Sequence, residues 1–459
     1  MVIENAKPLA CLKARWHPAL YHAIQQRERL IHELMGAFNS PLHFVCPEIF
    51  IENARAMQSV LQREEVKGFL FFAKKANKAR CFAQASADAG MGMDVASVGE
   101  MQEALVAGVC GEAISISGPA KPAELLRLGL FHRSLIAVDS LDELERLISL
   151  ARLYQRAARL VIRLAPHPPL LSRFGMQDEV VTAALARCVS VCDQVMLEGF
   201  SFHLAGYSAQ ERCDHAGMAL RWLETARYHG LRPNSINIGG GFAVSYVERS
   251  SWENFLSVKT KDDFHAQKQF EGFYPYYNAM AGAEILAAIL QGTPAGQHES
   301  LATLLRRLRV TVLLEPGRAL LDQAGFTSFM VQGTKEHEDY DILTVNGTSF
   351  SLSEQWFNSE FLPDPLLLPA LPAPFEMGAV PLTYRACVGG ASCLDSDMVS
   401  WRKIVFNQRP RSGDLLIYPN TAGYQMDSNE SPFHELPLPP KIVLRLDDSQ
   451  PVWRVDRVS

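Results

Sequence analysis

Between residue 46 and about residue 325, short apolar runs alternate with stretches whose apolar side chains recur every three or four positions. The first kind reads as buried strand and the second as amphipathic helix. Candidate strands fall near 69–74, 92–95, 113–117, 134–138, 159–164, 196–203, 235–238 and 310–314. Eight strands alternating with helices over roughly 250 residues predict a closed parallel barrel rather than an open sheet. Ser140 with Glu143 predicts a capping box for the helix after the fourth strand.

The flanks read differently. Residues 10–39 predict one N-terminal helix, with Leu20, Ile24, Ile31, Leu34 and Phe38 at helical spacing, followed by a strand over Leu42 to Cys46. After residue 326, runs such as Ile342-Leu343-Thr344-Val345, Leu415-Leu416-Ile417-Tyr418 and Lys441-Ile442-Val443-Leu444 predict a separate β domain. The expected division is 1–45 as a helix and strand joining the β domain, 46–325 as the barrel, and 326–459 as the C-terminal β domain. Two regions interrupt the pattern. Residues 247–284 are rich in aromatics, among them Trp252, Phe255, Phe264, Phe270, Tyr274 and Tyr276, and read as a lid over a site or as cover for a barrel flank. Pro363 to Pro374 carries five prolines and reads as an extended connector.

Composition narrows the function classes. With 459 residues, 48% hydrophobic and 20% charged, the chain is long enough for two cores. No apolar run approaches the roughly 20 residues that cross a bilayer, so no membrane partner is expected. The N-terminus shows no charged-then-apolar leader before Lys7-Pro8. A net charge of -6 argues against a nucleic-acid surface. Nine scattered cysteines fit a reducing cytoplasm. Cys188 and Cys192 stand one helical turn apart and read as small core residues rather than a metal site.

Catalytic groups of such a barrel sit at the C-terminal strand ends. Lys75 ends the first candidate strand, in Phe71-Phe72-Ala73-Lys74-Lys75-Ala76-Asn77, and Asp94 ends the second. Arg163 lies in the fifth, His203 ends the sixth, Gly239-Gly240-Gly241 follows the seventh and Glu315-Pro316-Gly317-Arg318 the eighth. Singly, each has a plain reading: a surface lysine, a structural histidine, a tight turn, a solvated carboxylate. Together they form one chemistry. Gly239, Gly240 and Gly241 let backbone N–H groups approach an anion, and Gly317 with Arg318 adds amides and a guanidinium, which together would hold a phosphate. A desolvated lysine at a strand tip is a nucleophile toward an aldehyde. A phosphate and an aldehyde on one ring describe pyridoxal 5'-phosphate, with Glu315 at the ring nitrogen and His203 as a stacking face.

At this point the chain resembles the fold-type III pyridoxal phosphate decarboxylases, the family of diaminopimelate, ornithine and arginine decarboxylases. Phe72-Ala73-Lys74-Lys75-Ala76-Asn77 resembles Y-A-x-K-A-N, with Lys75 at the cofactor lysine. Gly92-Met93-Asp94-Val95-Ala96-Ser97-Val98-Gly99-Glu100 is similar to G-x-D-x-A-S-x-x-E. Asn237-Ile238-Gly239-Gly240-Gly241-Phe242 is similar to D-I-G-G-G-F, and Glu315-Pro316-Gly317-Arg318 is the E-P-G-R segment. Gly413-Asp414-Leu415-Leu416 with Ala422-Gly423-Tyr424 resembles G-D-x-L with G-A-Y, whose tyrosine reaches the phosphate. The resemblance runs from about Pro41 to Glu435. It implies a (β/α)8 TIM barrel of alanine racemase-like type with a C-terminal β domain, and an amino-acid decarboxylase working through a Lys75 Schiff base. It also implies a homodimer with active sites at the subunit boundary, where Cys393 returns a proton to the substrate carbon. Alone, Cys393 reads as a small buried apolar residue.

The departures bear on substrate. Leu394 stands where the family carries an acidic residue that contacts a distal amine, with Asp395 and Asp397 as substitutes only in a shifted register. Ser353-Glu354-Gln355-Trp356 replaces the R-P-x-x-Y segment of diaminopimelate enzymes, and Leu204-Ala205-Gly206-Tyr207-Ser208 replaces the x-G-S after the histidine. These changes look more like decarboxylases of siderophore and other specialised pathways, which accept larger conjugated amino acids. Rival readings are a racemase or epimerase on the same scaffold, disfavoured by Glu315, and a catalytically silent regulatory homologue.

Overall fold

The structure, a computed structural model, describes residues 9–166, 172–352, 359–371, 383–447 and 452–456. Internal contacts divide the chain into two units: Met1–Ile49, Val244–Ala279 and Leu321–Ser459 form one, and Phe50–Ala243 with Met280–Leu320 form the other.

In the first unit, the helix expected over residues 10–39 is two helices, Pro18–Gln26 and Glu28–Phe38. Pro18 opens the first, where a missing N–H costs nothing. Arg27 between them leaves helical geometry, at φ -120 and ψ 26, and its guanidinium bonds the carbonyls of Arg445 and Asp447 at 2.5 and 3.0 Å. Strand β1 (Leu42–Val45) follows.

The second unit is a closed barrel of eight parallel strands: β2 (Gly68–Ala73), β3 (Gly92–Val95), β4 (Ile114–Ile116), β5 (Leu135–Val138), β6 (Ala158–Arg163), β7 (Val195–Ser201), β8 (Ser235–Asn237) and β9 (Thr311–Leu314). All eight coincide with the apolar runs of the sequence. Closure is by β2 against β9, with Phe69 opposite Leu313 and Leu70 opposite Leu314. Phe71, Leu135, Ala137, Val161 and Leu313 fill the interior, so the barrel is a packed core and not a pore. Phe72, of opposite parity on β2, packs edge-on against Phe50 of the helix Pro47–Arg63, ring centroids 5.0 Å apart.

Around the fourth crossover the capping box is only half formed. Ser140 Oγ accepts from Glu143 N at 3.2 Å, but the Glu143 carboxylate bypasses Ser140. It accepts from Asp139 N, from Lys121 N and from the Lys121 ammonium, at 2.9, 2.8 and 2.9 Å, with both side chains of the ion pair fully buried. An ion pair out of water outcompetes a surface cap for the same oxygens.

The remaining strands of the first unit are β10 (Gly325–Glu336), β11 (Asp341–Val345), β12 (Leu366–Leu368), β13 (Tyr384–Gly389), β14 (Met398–Phe406), β15 (Leu415–Pro419), β16 (Lys441–Leu444) and β17 (Trp453–Val455). With β1 they make a nine-stranded sheet, ordered β14-β13-β11-β10-β1-β16-β17, while β15 joins β10 and β12. β1 is therefore an inner strand, antiparallel to β10 and parallel to β16, with Phe44 stacked on Phe326 at 4.5 Å. The proline-rich connector contains β12, and Pro372 to Pro374 lie outside the described residues. The aromatic residues 247–284 fall mostly in this unit, where Tyr246, Tyr274 and Tyr276 pack as a T-shaped cluster. Cys192 lies beyond the helix Asp178–Ser190 that holds Cys188 and is exposed, so the two do not share a helix face.

Candidate active site

Side chains of a strand alternate between its two faces, and β2 puts this to use. Phe69 and Phe71 point into the barrel, and the same parity carried past the strand end reaches Lys75. Lys74 takes the other face. It is buried, and its ammonium donates to the carbonyls of Asn77 and Ala79 at 3.3 and 3.2 Å, within the short 3-10 turn Lys74–Ala76. Lys75 is exposed at the rim. Its desolvation, expected from the sequence, is therefore absent, while Lys74 supplies the buried amine.

Across the rim, register sets one level: Ala73 lies opposite Asp94, and Asp94 opposite Ser115. Ser115 Oγ and Asn237 Nδ2 both donate to Glu315 Oε1, at 3.2 and 2.6 Å, which fixes that carboxylate just beyond β9. Asp94 is buried, and among the described residues its Oδ1 has no hydrogen-bond partner. Burial, and next the negative charge of Glu315, hold the Asp94 carboxyl well above the ordinary range, while the nearby Lys75 ammonium acts against them.

His203 follows β7, with Nδ1 3.5 Å from Gly240 N. The residue is exposed at the rim. Even so, burial among the strand ends, followed by the charges of Lys75, Arg163 and Arg212, pushes its pKa down to about 3, which leaves the imidazole neutral. Arg163 ends β6 and is fixed by Asp139 at 3.4 Å and by the ring of Phe174, 4.4 Å from its guanidinium.

The three glycines are required sterically. Gly239 and Gly241 have positive φ, 69 and 77. A Cβ on Gly240 would stand 2.6 Å from the carbonyl of Glu315, and one on Gly241 would stand 2.1 Å from Arg212 Nη2. Asn237 Oδ1 accepts from Gly239 N at 2.8 Å and completes the turn.

Arg212 was not singled out from the sequence. It is fully buried in the helix Ala209–Tyr228, and burial lowers its pKa. Its guanidinium donates to the carbonyls of Gly206 at 2.7 Å, Ser208 at 3.3 Å, Leu204 at 3.4 Å and Gly240 at 3.4 Å. It thus ties the loop after His203 to the glycine turn. The signal was its place on the apolar face shared with Ala216, Ala219, Leu220 and Leu223, where a charged residue must be partnered. Ser208, at the end of the segment that replaces x-G-S after His203, caps that helix, accepting from Glu211 N at 3.2 Å.

Lys75, Asp94, Arg163, His203, Gly239, Gly240, Gly241 and Glu315 thus come together at one end of the barrel, and Gly317 and Arg318 follow Glu315 after Pro316. Cys393 and Tyr424 belong to the other unit, after β13 and β15. Tyr424 has φ 76, a conformation few non-glycine residues adopt. Ser353-Glu354-Gln355-Trp356 lies outside the described residues. Asp397 is buried, and its carboxylate accepts from the backbone N–H groups of Ser349 at 2.7 Å and Ser392 at 3.1 Å, whereas Asp395 is exposed.

The orphaned Asp94 oxygen, the glycine turn that admits no Cβ, and an oriented Glu315 fit a phosphorylated pyridine. The fold and this donor set define a pyridoxal phosphate protein with an alanine racemase-like barrel. Residues 48–273 match the model of the pyridoxal binding domain of pyridoxal-dependent decarboxylases. The chain is 36% identical to the uncharacterized protein y4yA of Sinorhizobium fredii (strain NBRC 101917 / NGR234), over 92% of this chain and 91% of that one. It is 23% identical to a diaminopimelate decarboxylase of Halalkalibacterium halodurans, over 93% and 91%. A solved diaminopimelate decarboxylase from m. jannaschi superposes with a TM-score of 0.72 at 18% identity, covering 93% of this chain and 91% of that one, a likeness of fold. The chain belongs to the fold-type III pyridoxal-dependent decarboxylase family, and its cofactor is pyridoxal 5'-phosphate. Among the described residues, no helix is long and apolar enough to cross a membrane.

Proposed function

We propose that the protein removes the α-carboxylate of an amino acid or amino-acid conjugate, with Lys75 as the cofactor lysine. The observation that carries this reading is the meeting of an exposed Lys75, a neutral His203, a fixed Glu315 and the three-glycine turn at one rim. When bound, pyridoxal phosphate supplies an electron sink for the bond between the α-carbon and the carboxylate. Glu315 would hold a proton at the ring nitrogen. Ser115 and Asn237 both donate to its Oε1, so Oε2 is the oxygen available for that proton. Gly239, Gly240, Gly241, Gly317 and Arg318 would hold the phosphate, and His203 would offer an uncharged face to the ring. Asp94 and Arg163 complete the polar wall. Lys75 would hold the cofactor through its side-chain nitrogen.

Leu394, exposed beside Cys393, supports a substrate without a free terminal ammonium. Asp397 is committed to Ser349 and Ser392 and offers no replacement. A conjugated amino acid of a specialised, siderophore-type pathway suits this better than lysine biosynthesis, in a cytoplasmic head-to-tail homodimer in which Cys393 serves the partner's barrel. The test is release of carbon dioxide from the cofactor-loaded protein offered diaminopimelate, ornithine, lysine and amide conjugates of diamino acids. Conjugates turning over best would support the reading. Inversion at the α-carbon with no carbon dioxide would replace it with a racemase.

Two variants probe the site. Glu315→Gln keeps the bonds to Oε1 and removes the charge, so kcat should fall about 10²- to 10³-fold with cofactor affinity little changed. An unchanged kcat would remove Glu315 from the ring nitrogen. Arg212→Met frees the glycine turn from its four-carbonyl anchor. Binding of pyridoxal phosphate should weaken about tenfold or more, against a smaller change for unphosphorylated pyridoxal, as followed by absorbance titration. Equal weakening of both would show that Arg212 acts away from the phosphate.

A further inference from the structure

The segment after β13 places Cys393 beside a residue that the described mechanism does not use. Cys393 Sγ lies 3.1 Å from His434 Nε2, and the backbone N–H of Cys393 points to the same nitrogen at 3.5 Å. The two residues are 41 positions apart in sequence. Both sides of the contact are built. On the cysteine side, Asp397 accepts from Ser392 N, and its carboxylate lies where a Cβ on Gly390 would be, 2.2 Å away, so the loop closes only with glycine there. On the histidine side, His434 and Glu435 both have φ 59, two consecutive non-glycine residues in the left-handed region. Such a conformation is costly and persists where surrounding contacts impose it. Phe433 lies against the His434 ring at 4.3 Å and against Phe350 at 6.4 Å, so the turn is packed as well as strained.

We infer that Cys393 and His434 form an acid–base pair in which the imidazole sets the proton of the thiol. As a neutral ring, Nε2 accepts from the thiol and from the N–H of Cys393. When the proton moves from Sγ to Nε2, the imidazolium donates to the thiolate and stabilises it. This inference rests on the proposed reading for its use in turnover. There, Cys393 gives its proton to the substrate carbon left by carbon dioxide and becomes a thiolate. His434, protonated from solvent, returns a proton to Sγ and then takes another from water. One proton reaches the product per carbon dioxide released, and no oxidant or further reactant enters. The carboxylates nearest along the chain are Asp395 and Asp397 on the cysteine segment and Glu435 beside the histidine. Of these, Asp397 is held by Ser349 and Ser392.

The test reads the thiol directly and needs no known substrate. Cofactor-loaded protein is treated with iodoacetamide from about pH 5 to 10, and alkylation of the Cys393 peptide is followed by mass spectrometry, which separates it from the other cysteines. The wild-type rate should inflect at least one pH unit below that of His434→Asn, whose inflection should sit near the ordinary thiol value of about 8.5. Asparagine tolerates the left-handed backbone, so this variant keeps the turn. His434→Gly provides the second case, in which added imidazole should restore the lower inflection. Superimposed profiles for wild type and both variants would overturn the pair even if the enzyme decarboxylates. A shifted profile would uphold it even if no amino acid tested releases carbon dioxide.

Discussion

Lys75→Ala protein mixed with pyridoxal phosphate should show none of the visible absorbance of the lysine-bound cofactor, and its turnover should fall by about 10⁴-fold or more. The magnitude follows from losing at once the covalent anchor and a positioned amine, and a positioned proton-transfer group alone is worth 10²- to 10⁴-fold. Lys74→Ala is the matched comparison. Its ammonium faces away from the barrel axis and holds the carbonyls of Asn77 and Ala79. Its loss should cost about 1–3 kcal/mol of stability, because a buried ammonium that donates to two carbonyls is removed, while the absorbance survives. Absorbance retained by Lys75→Ala and lost in Lys74→Ala would exchange the two lysines and undo the parity argument.

That pair also shows how much was legible beforehand. The Phe-Phe-Ala-Lys-Lys run fixes a strand and a turn, but which amine looks into the barrel depends on where β2 begins its alternation, and that is set by Phe69 and Phe71 packing with Leu313 of the last barrel strand. The strand ends were readable because each is a short apolar run closed by a polar or glycine residue, a local signal. Glu315 was readable for the same reason, whereas its orientation by Ser115 and Asn237 joins β4, β8 and the turn after β9, and no local pattern encodes it. His434 stayed hidden because a lone histidine in a proline-rich segment carries no periodicity, and its partner lies 41 residues away. The N-terminal helix was overextended because its apolar spacing runs through Arg27, whose departure from helix is tied to carbonyls near residue 446. Arg212 and Lys121 are charged residues in apolar surroundings, which is the signal that could have found them.

The largest loss of stability should come from Glu143. This carboxylate is the counter-charge of the buried Lys121 ammonium, whose other acceptors are the carbonyls of Gly118 at 2.7 Å and Ala137 at 2.5 Å, and it also receives the N–H groups of Lys121 and Asp139. Glu143→Gln keeps the shape and removes the charge. Breaking one side of a buried pair costs about 3–5 kcal/mol, because the remaining ion is left uncompensated. The sign of the pH dependence follows from Lys121. Burial lowers its pKa below 10.5, and Glu143 is the first of the groups that raise it again. Without Glu143 the folded-state pKa drops further, so over the interval between that value and 10.5 the unfolded chain binds more protons than the folded one. Stability of the variant should therefore rise with pH across that interval, and its deficit against wild type should shrink toward pH 10 as the amine becomes neutral in both. Asp139, whose N–H Glu143 accepts, also holds Arg163 and Gly175 N at 3.4 and 3.0 Å, so the rim should loosen together with the crossover. Urea midpoints at pH 7 and pH 9.5, read beside cofactor affinity, measure both effects. A deficit that stays constant between the two pH values would show that Lys121 keeps its charge without Glu143 and that the pair is not the source of the loss.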